Sequence, residues 1–254
     1  MDRERELAYQ DLVARIDEFF DGVFAPLEAW VPRLQAELRE RLEQGPLTGA
    51  GLVALIEAEA HAVLEATDRP LYGAGYCATE RIVTEGNPLA WWQGPERSLL
   101  ASSTFGPGQA AVDLHRLEWY RVPAETLERH IAGPFVDYLC SNEVTLTSSL
   151  PVELDGSFAG VVCADVLVAS LEDVLLPRLA ELGEASLVNA SGRVVLSTDP
   201  LRETGDRCAV EEEVAAGARL WRSRRYPFGL IAHERTEHER AEHSQRSAQE
   251  LGLG

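Results

Sequence analysis

The arrangement of apolar and polar positions divides the chain into a helical first part and a strand-rich remainder. Over residues 6–44, apolar side chains recur at spacings of three and four with Asp and Glu between them, which is typical of an amphipathic helix. Pro26 and Pro32 interrupt this pattern, so we expect a break or kink there. A second helix is predicted over residues 48–66, with Thr48 as its N-cap.

Beyond residue 70 the pattern changes to short apolar and β-branched runs bounded by Gly, Pro, Asn and Asp, which is typical of strands and turns. Strands are predicted over residues 71–78, near 89–92, and over 144–151, 158–168, 185–189, 193–197, 220–225 and 229–234. Further helices are predicted over residues 124–130, 171–183 and 211–217. Because the strands are joined by short turns, as at Leu154-Asp155-Gly156-Ser157, we expect antiparallel sheets and an α/β (α+β) fold class.

The composition excludes several classes of function. The chain has 254 residues and a net charge of -19, which repels phosphate backbones, so nucleic-acid binding is not expected. Its four cysteines form no Cys-x-x-Cys pair, so neither a zinc site nor any other metal site is predicted. The charged start and the lack of an 18-residue apolar run predict no signal peptide and no membrane span. We therefore expect a cytoplasmic protein, or an extracytoplasmic one if the chain is part of a longer protein.

The segment over residues 113–165 holds the candidate chemistry. Trp119 and Tyr120 are adjacent aromatics, and Asp165 lies in a strongly apolar predicted strand, where a carboxylate costs free energy unless a partner satisfies it. An ammonium group over an aromatic face gains roughly 0.5–2 kcal/mol. Aromatics and carboxylates in this order therefore favour capture of a small organic cation. Further candidates for the wall of such a pocket, for which core packing is the favoured explanation, are Trp91, Trp92, Tyr72 and Tyr76.

The order and spacing of these segments resembles the double Cache family of PAS-like ligand-binding domains in bacterial sensors. The matching segments are residues 113–120, 133–137, 149–152 and 160–165. The resemblance covers roughly residues 6–235 and implies a Cache-like arrangement of two modules behind a long N-terminal helix. It implies a helical stalk, a ligand-binding PAS-like module, a smaller second PAS-like module and a charged tail, over residues 1–66, 67–170, 171–235 and 236–254.

Family members that bind amino acids carry an Arg two residues before the Trp-Tyr pair, and it grips the ligand carboxylate. This chain has Leu117 there, and it has Phe135 where a Tyr is common. The resemblance therefore implies that the amine-binding half of the site remains while the carboxylate clamp is missing. In the family, the position of Asp165 receives the ligand ammonium and that of Asp137 supplies a second carboxylate. The predicted ligand-binding residues are Trp119, Tyr120, Phe135, Asp137 and Asp165.

Each of these residues also has a purely structural interpretation. Trp119 and Tyr120 could pack in a core or on a strand, Asp137 could cap a turn, and Asp165 could form an ordinary internal hydrogen bond. We predict a non-enzymatic sensor, without a cofactor, that binds a small organic amine or an amino-acid-like ligand and acts on an unidentified downstream regulator. The alternative is a ligand-free interaction module in which the long first helix mediates homodimerisation.

An amine-modifying enzyme is the least favoured alternative. Ser148-Ser149 lacks the Gly-x-Ser-x-Gly surroundings of a nucleophile elbow, so no catalytic residue is predicted. His233, His238 and His243 are spaced by five residues, which places them about 140° apart in projection on a helix and not on one face.

Overall fold

The computed structural model describes residues 3–100, 113–138 and 141–233, and it describes His115 by its backbone alone. The predicted charged tail at 236–254 lies outside the described residues. Within the described residues, no helix is both long enough and apolar enough to cross a membrane.

The first element is a single 40-residue helix, α1 (Arg3–Leu42), about 60 Å long at 1.5 Å per residue. It continues through Pro26 and Pro32, so the predicted break is wrong. The physical reason is packing, because buried side chains continue on both sides of the prolines and Pro26 is itself buried. Tertiary contacts along the apolar face compensate for the hydrogen bonds that the prolines cannot donate.

Six strands form the larger sheet, in the order β5-β4-β2-β8-β7-β6, with every neighbouring pair antiparallel. A small parallel pair, β1 and β3, lies apart from it. These elements are β1 (Leu47–Thr48), β2 (Leu71–Ala78), β3 (Val83–Glu85), β4 (Leu89–Gln93), β5 (Ser98–Leu99), β6 (His130–Val136), β7 (Val144–Leu154) and β8 (Ser157–Leu167). The β7–β8 hairpin closes at Asp155 and Gly156, which both have positive φ, so the predicted turn is confirmed.

The two faces of this sheet have different partners because side chains alternate along each strand. Ala74 and Tyr76 belong to the main core together with α1 and α2 (Gly49–Glu65). Cys77 lies in a separate cluster with Tyr120 of the helix α3 (Glu118–Thr126). The hydroxyl of Thr48 accepts a hydrogen bond from the backbone N–H of Gly51, which confirms the predicted N-cap of α2.

A second antiparallel sheet has the order β10-β9-β12-β11. Its strands are β9 (Ala185–Asn189), β10 (Val194–Ser197), β11 (Arg219–Arg222) and β12 (Phe228–Ala232), and α4 (Val168–Leu182) and α5 (Val210–Ala215) complete this part. The rings of Tyr9 in α1 and Trp221 in β11 stack with centroids 4.1 Å apart. One apolar core therefore includes α1, α2, α4 and one face of each sheet.

The predicted helix over residues 124–130 is wrong in position. The helix α3 starts at Glu118 and contains Pro123 in its interior, and Leu127 ends it in the left-handed conformation at φ 56°. His130 then begins strand β6, which the sequence did not predict because its Gly-Pro pair is atypical of a strand. Trp119 and Tyr120 accordingly lie in a helix and not on an extended segment. The predicted fold class and the antiparallel sheets behind a long N-terminal helix are confirmed.

Candidate ligand-binding site

A cavity of about 30 Å³ lies on the face of the larger sheet that α3 covers. Strands β2, β4, β6, β7 and β8 contribute side chains to it, and α3 contributes one. The lining residues are Gly75, Cys77, Leu89, Trp91, Trp119, Phe135, Asp137, Thr147, Cys163 and Asp165. Four of the five predicted ligand-binding residues therefore border one cavity, and Tyr120 does not.

Asp165 is the most unusual group in this cavity. Its side chain is 4% exposed, and the hydroxyl of Thr147 on the paired strand donates a hydrogen bond of 2.6 Å to its Oδ1. Burial raises the pKa of the Asp165 carboxyl from 3.8 to about 8; the Thr147 hydrogen bond opposes this rise, and the charge of Asp137 adds to it. Among the described residues, no Arg or His forms an ion pair with this carboxyl. The group is therefore mostly protonated at neutral pH when the cavity is empty.

Asp137 follows the last residue of β6 and is 6% exposed. Its backbone N–H donates to the carbonyl of Glu143 at 3.0 Å, and its own carbonyl accepts from the N–H of Asn142 at 2.8 Å. These backbone bonds connect Asp137 to the residues that lead into β7. Two carboxyl groups from separate strands thus face the same enclosed space.

An irregularity in β6 decides which of its side chains reach the cavity. Ala132 is opposite Thr147 and Phe135 is opposite Thr145, so β6 contains one more residue than β7 across this interval. Because neighbouring side chains alternate between the faces of a sheet, the extra residue moves odd-numbered positions to the face that Ala132 occupies. Phe135 and Asp137 face the cavity as a result.

The extra residue is accommodated at Gly133, where only glycine fits. Its φ is +112°, and a Cβ there would lie 2.6 Å from the carbonyl oxygen of Thr145. The carbonyl of Gly133 accepts a hydrogen bond of 2.7 Å from Nδ2 of Asn189, at the end of β9 in the second sheet. The second sheet therefore holds the bulge that directs two side chains into the cavity. We call this contact the Asn189–Gly133 link.

The aromatic side chains of the site come from opposite sides of the cavity. Trp119, half-buried in the first turn of α3, meets Tyr120 edge-on with centroids 6.2 Å apart. Tyr120 is 3% exposed and packs edge-on against Phe158 at 5.5 Å, so it supports Trp119 and is not part of the cavity wall. Trp91 lies in β4, where its Nε1 donates to the side chain of Gln93 at 3.2 Å. Indole rings from a helix and a strand thus both border the space.

The other candidates for the pocket wall lie elsewhere. Trp92 and Tyr76 face the main core beneath α1 and α2, and Tyr72 does not border the cavity. Sequence reasoning missed Thr147, although polar side chains at every second position of an otherwise apolar strand were a usable signal. It also missed the small or apolar lining residues, whose types alone do not distinguish a cavity from a core. These residues are Gly75, Cys77, Leu89 and Cys163.

The two thiols in the cavity are neutral groups. Burial raises the pKa of both Cys77 and Cys163 well above the usual range, and Cys163 donates to the hydroxyl of Ser149 at 3.5 Å. A protonated, buried thiol behaves as a small hydrophobe and is a poor nucleophile or metal ligand. Among residues 3–100, 113–138 and 141–233, no group of three or more His, Cys, Asp or Glu side chains is arranged to hold a metal ion.

Comparisons with known proteins identify the fold. No family model and no curated protein matches the sequence. Among solved structures, the extracellular domain mmHK1S-Z3, assigned to a histidine kinase, has a TM-score of 0.61 at 13% identity, covering 94% of this chain and 98% of its own. A second such domain, rpHK1S-Z16, has a TM-score of 0.56 at 17% identity, with coverages of 91% and 92%.

A third similar structure is the ligand-binding domain of the Pseudomonas aeruginosa PAO1 amino acid chemoreceptor PctC in complex with GABA. It has a TM-score of 0.55 at 17% identity and covers 91% of this chain and 100% of its own. The chain therefore has the PAS-like, two-sheet fold of receptor sensor domains behind a long helix. At these identities the likeness concerns the fold alone.

Proposed function

We propose that the protein is a non-enzymatic sensor domain that binds a small organic amine in the cavity and passes its occupancy to a partner. The observation that carries the proposal is Asp165, a buried carboxyl group that borders an enclosed space and has no cationic partner among the described residues. A binding ammonium group supplies the missing positive charge.

The energetics favour a cation at this position. An ionised carboxylate in a low-dielectric site is costly by itself, whereas a charge-assisted hydrogen bond to an ammonium contributes about 1.5–3 kcal/mol net. Trp91, Trp119 and Phe135 border the same space and offer aromatic faces, each worth roughly 0.5–2 kcal/mol to a cation. Together with the burial of ligand methylenes, at about 0.8 kcal/mol each, these contributions support micromolar binding after the costs of association.

The comparisons support a sensory role. The similar structures are extracellular domains of putative histidine kinases and the ligand-binding domain of a chemoreceptor, and the latter was solved with GABA, which carries an amino group. The extracellular location of the two histidine-kinase domains is compatible with the same location here. A receptor that reports on amines needs a selective cavity and a route to a partner, and it needs no reactive nucleophile.

A thermal-shift panel tests the proposal. We expect a restricted set of small amines to raise the Tm of the wild-type protein by several degrees, since a ligand at 100 times its Kd contributes about 2.7 kcal/mol. Asp165→Asn keeps the side-chain size and removes the charge, so it should abolish the shift. Asp173→Asn is the matched control, because Asp173 is exposed on α4 and does not border the cavity.

The outcomes separate the alternatives. A broad amine panel that leaves the wild-type Tm unchanged would overturn the sensor and favour the ligand-free interaction module. That module predicts a homodimer whose sedimentation does not depend on amines. Conversion of a bound amine, detected by mass spectrometry, would favour the enzyme.

A further inference from the structure

We propose that the cavity selects short monoamines with an apolar end, and that it excludes amino acids and diamines. This inference rests on the proposed function and makes it more specific. It is carried by the unequal chemistry of the two ends of the cavity.

Strand register places the carboxyl groups at one end. Asp165 is opposite Thr147 on β7, and Asp137 borders the same space from β6. Asp137, whose charge raises the pKa of Asp165, and Thr147, whose hydrogen bond lowers it, both lie at this end. The arrangement has enough acceptor oxygens for the three N–H bonds of one primary ammonium.

The other end is apolar. Cys77 is opposite Val161 on β8 and opposite Leu89 on β4. Val161 precedes Asp165 by four residues along β8. At about 3.4 Å per residue, the two levels are about 13 Å apart. Cys77 and Leu89 are buried, and the thiol is neutral because burial raises its pKa. A ligand that lies along the strands therefore meets carboxyl groups first and then sulfur, leucine and indole.

Among the described lining residues, a ligand carboxylate has no cationic partner. None of the described lining residues is Arg or His, and the chain contains no Lys. Leu117 contributes to the apolar cluster beneath α3 and offers no positive charge. An α-carboxylate near the ammonium would lie close to Asp137 and Asp165, which would repel it. Amino acids are therefore expected to bind poorly.

A second ammonium is disfavoured for a complementary reason. No carboxylate borders the cavity at the level of Cys77 and Leu89 among the residues that the structure describes. A positive charge taken from water into that end would remain uncompensated, which is strongly unfavourable. A methyl group at the same place gains free energy by leaving water.

The size of the cavity limits the ligand further. Its volume of about 30 Å³ is well below the range of about 300–1,000 Å³ for small-molecule pockets, which favours a short ligand. Gly75 contributes to this space, and a Cβ at that position would collide with the carbonyl of Ala90 at 2.1 Å.

The test compares three ligands that share a four-carbon chain and differ only at the far end. Butylamine ends in a methyl group, 1,4-diaminobutane in a second ammonium and 4-aminobutyrate in a carboxylate. We expect titration calorimetry on the whole wild-type chain to show butylamine binding at least about tenfold more tightly than either of the others. Tighter binding of the diamine or the amino acid would overturn the inference and leave the proposed function intact. No binding by any amine in the panel would overturn both.

A variant reverses the expected preference. Cys77→Asp places a carboxylate at the apolar end and should improve binding of 1,4-diaminobutane relative to butylamine by about tenfold. Cys77→Ser is the control, since it adds polarity of similar size without charge and should keep the wild-type order. A folded Cys77→Asp protein with the wild-type order would count against the assignment of the two ends. If that variant does not fold, the three-ligand comparison on the wild type decides the question.

Discussion

At the scale of single residues, the cavity couples ligand binding to a proton. The carboxyl of Asp165 has a pKa of about 8 when the cavity is empty, because burial disfavours its charged form more strongly than the Thr147 hydrogen bond favours it. An ammonium ligand needs the ionised form. At pH 7 most molecules must therefore lose the Asp165 proton when the ligand binds, and the bound ammonium then holds the pKa of Asp165 lower.

This coupling predicts how affinity depends on pH. Below the pKa of the empty site, each unit of acidification should weaken amine binding by up to about tenfold, so affinity should rise from pH 6 to pH 8 and then level off. Titration calorimetry in two buffers of different ionisation enthalpy should detect release of up to one proton at pH 7. An affinity that does not change between pH 6 and pH 8 would contradict a role for Asp165 as the ammonium partner.

At the scale of elements, local patterns predicted the regular parts of the fold well. The strands around the β7–β8 turn were recognisable because each is a long β-branched run closed by Asp-Gly. The helix α3 and the strand β6 were not predicted, because Pro123 lies inside the helix and Gly-Pro lies inside the strand. In both, tertiary contacts override the local preference.

The extra residue in β6 also limited prediction of the site from the sequence. Residue type and order pointed to Phe135 and Asp137, yet the alternation of a regular strand would not have placed them on the face that Ala132 occupies. The bulge that does so is visible only from the pairing with β7. Tyr120, which is also a predicted ligand contact, lies in the apolar cluster beside Trp119 and does not line the cavity. An aromatic pair in sequence does not reveal which ring is outermost.

The Asn189–Gly133 link makes the bulge testable. Asn189→Asp keeps an oxygen that accepts from the backbone N–H groups of Ser191 and Arg193, at 3.0 and 2.9 Å, but it loses the donor to Gly133. We expect this variant to weaken amine binding by roughly two- to tenfold, the cost of one hydrogen bond. Hydrogen exchange of the β6 amides should become faster. Ser191→Ala, which removes one hydroxyl from the same turn, is the control and should bind like the wild type.

At the scale of the whole molecule, α1 connects the two sheets. Near its start, Tyr9 stacks on Trp221 and Phe20 stacks on Phe228, both in the second sheet. Near its end, the side chain of Gln35 donates to the carbonyl of Glu153 in the larger sheet at 2.8 Å. The division at residue 170 into two PAS-like modules remains a prediction, but the two sheets share one core along this helix.

A shared core predicts cooperative unfolding. Phe20→Ala should lower the free energy of unfolding by about 3–5 kcal/mol, because a fully buried ring is lost where α1 meets the second sheet. Calorimetry should show a single transition for both the wild type and the variant. Leu7→Ala is the control, since Leu7 is 57% exposed on the same helix and its loss should change little. Two separate transitions in the wild type would contradict a common core.

The positions of the indoles have a practical consequence. The chain has five tryptophans, of which Trp91 and Trp119 border the cavity while the other three are buried in the main core. A cation arriving beside the two cavity indoles alters their emission and leaves the deeper fluorophores as an internal reference. Intrinsic tryptophan fluorescence therefore reports whether a ligand occupies the cavity, without a dye or a label.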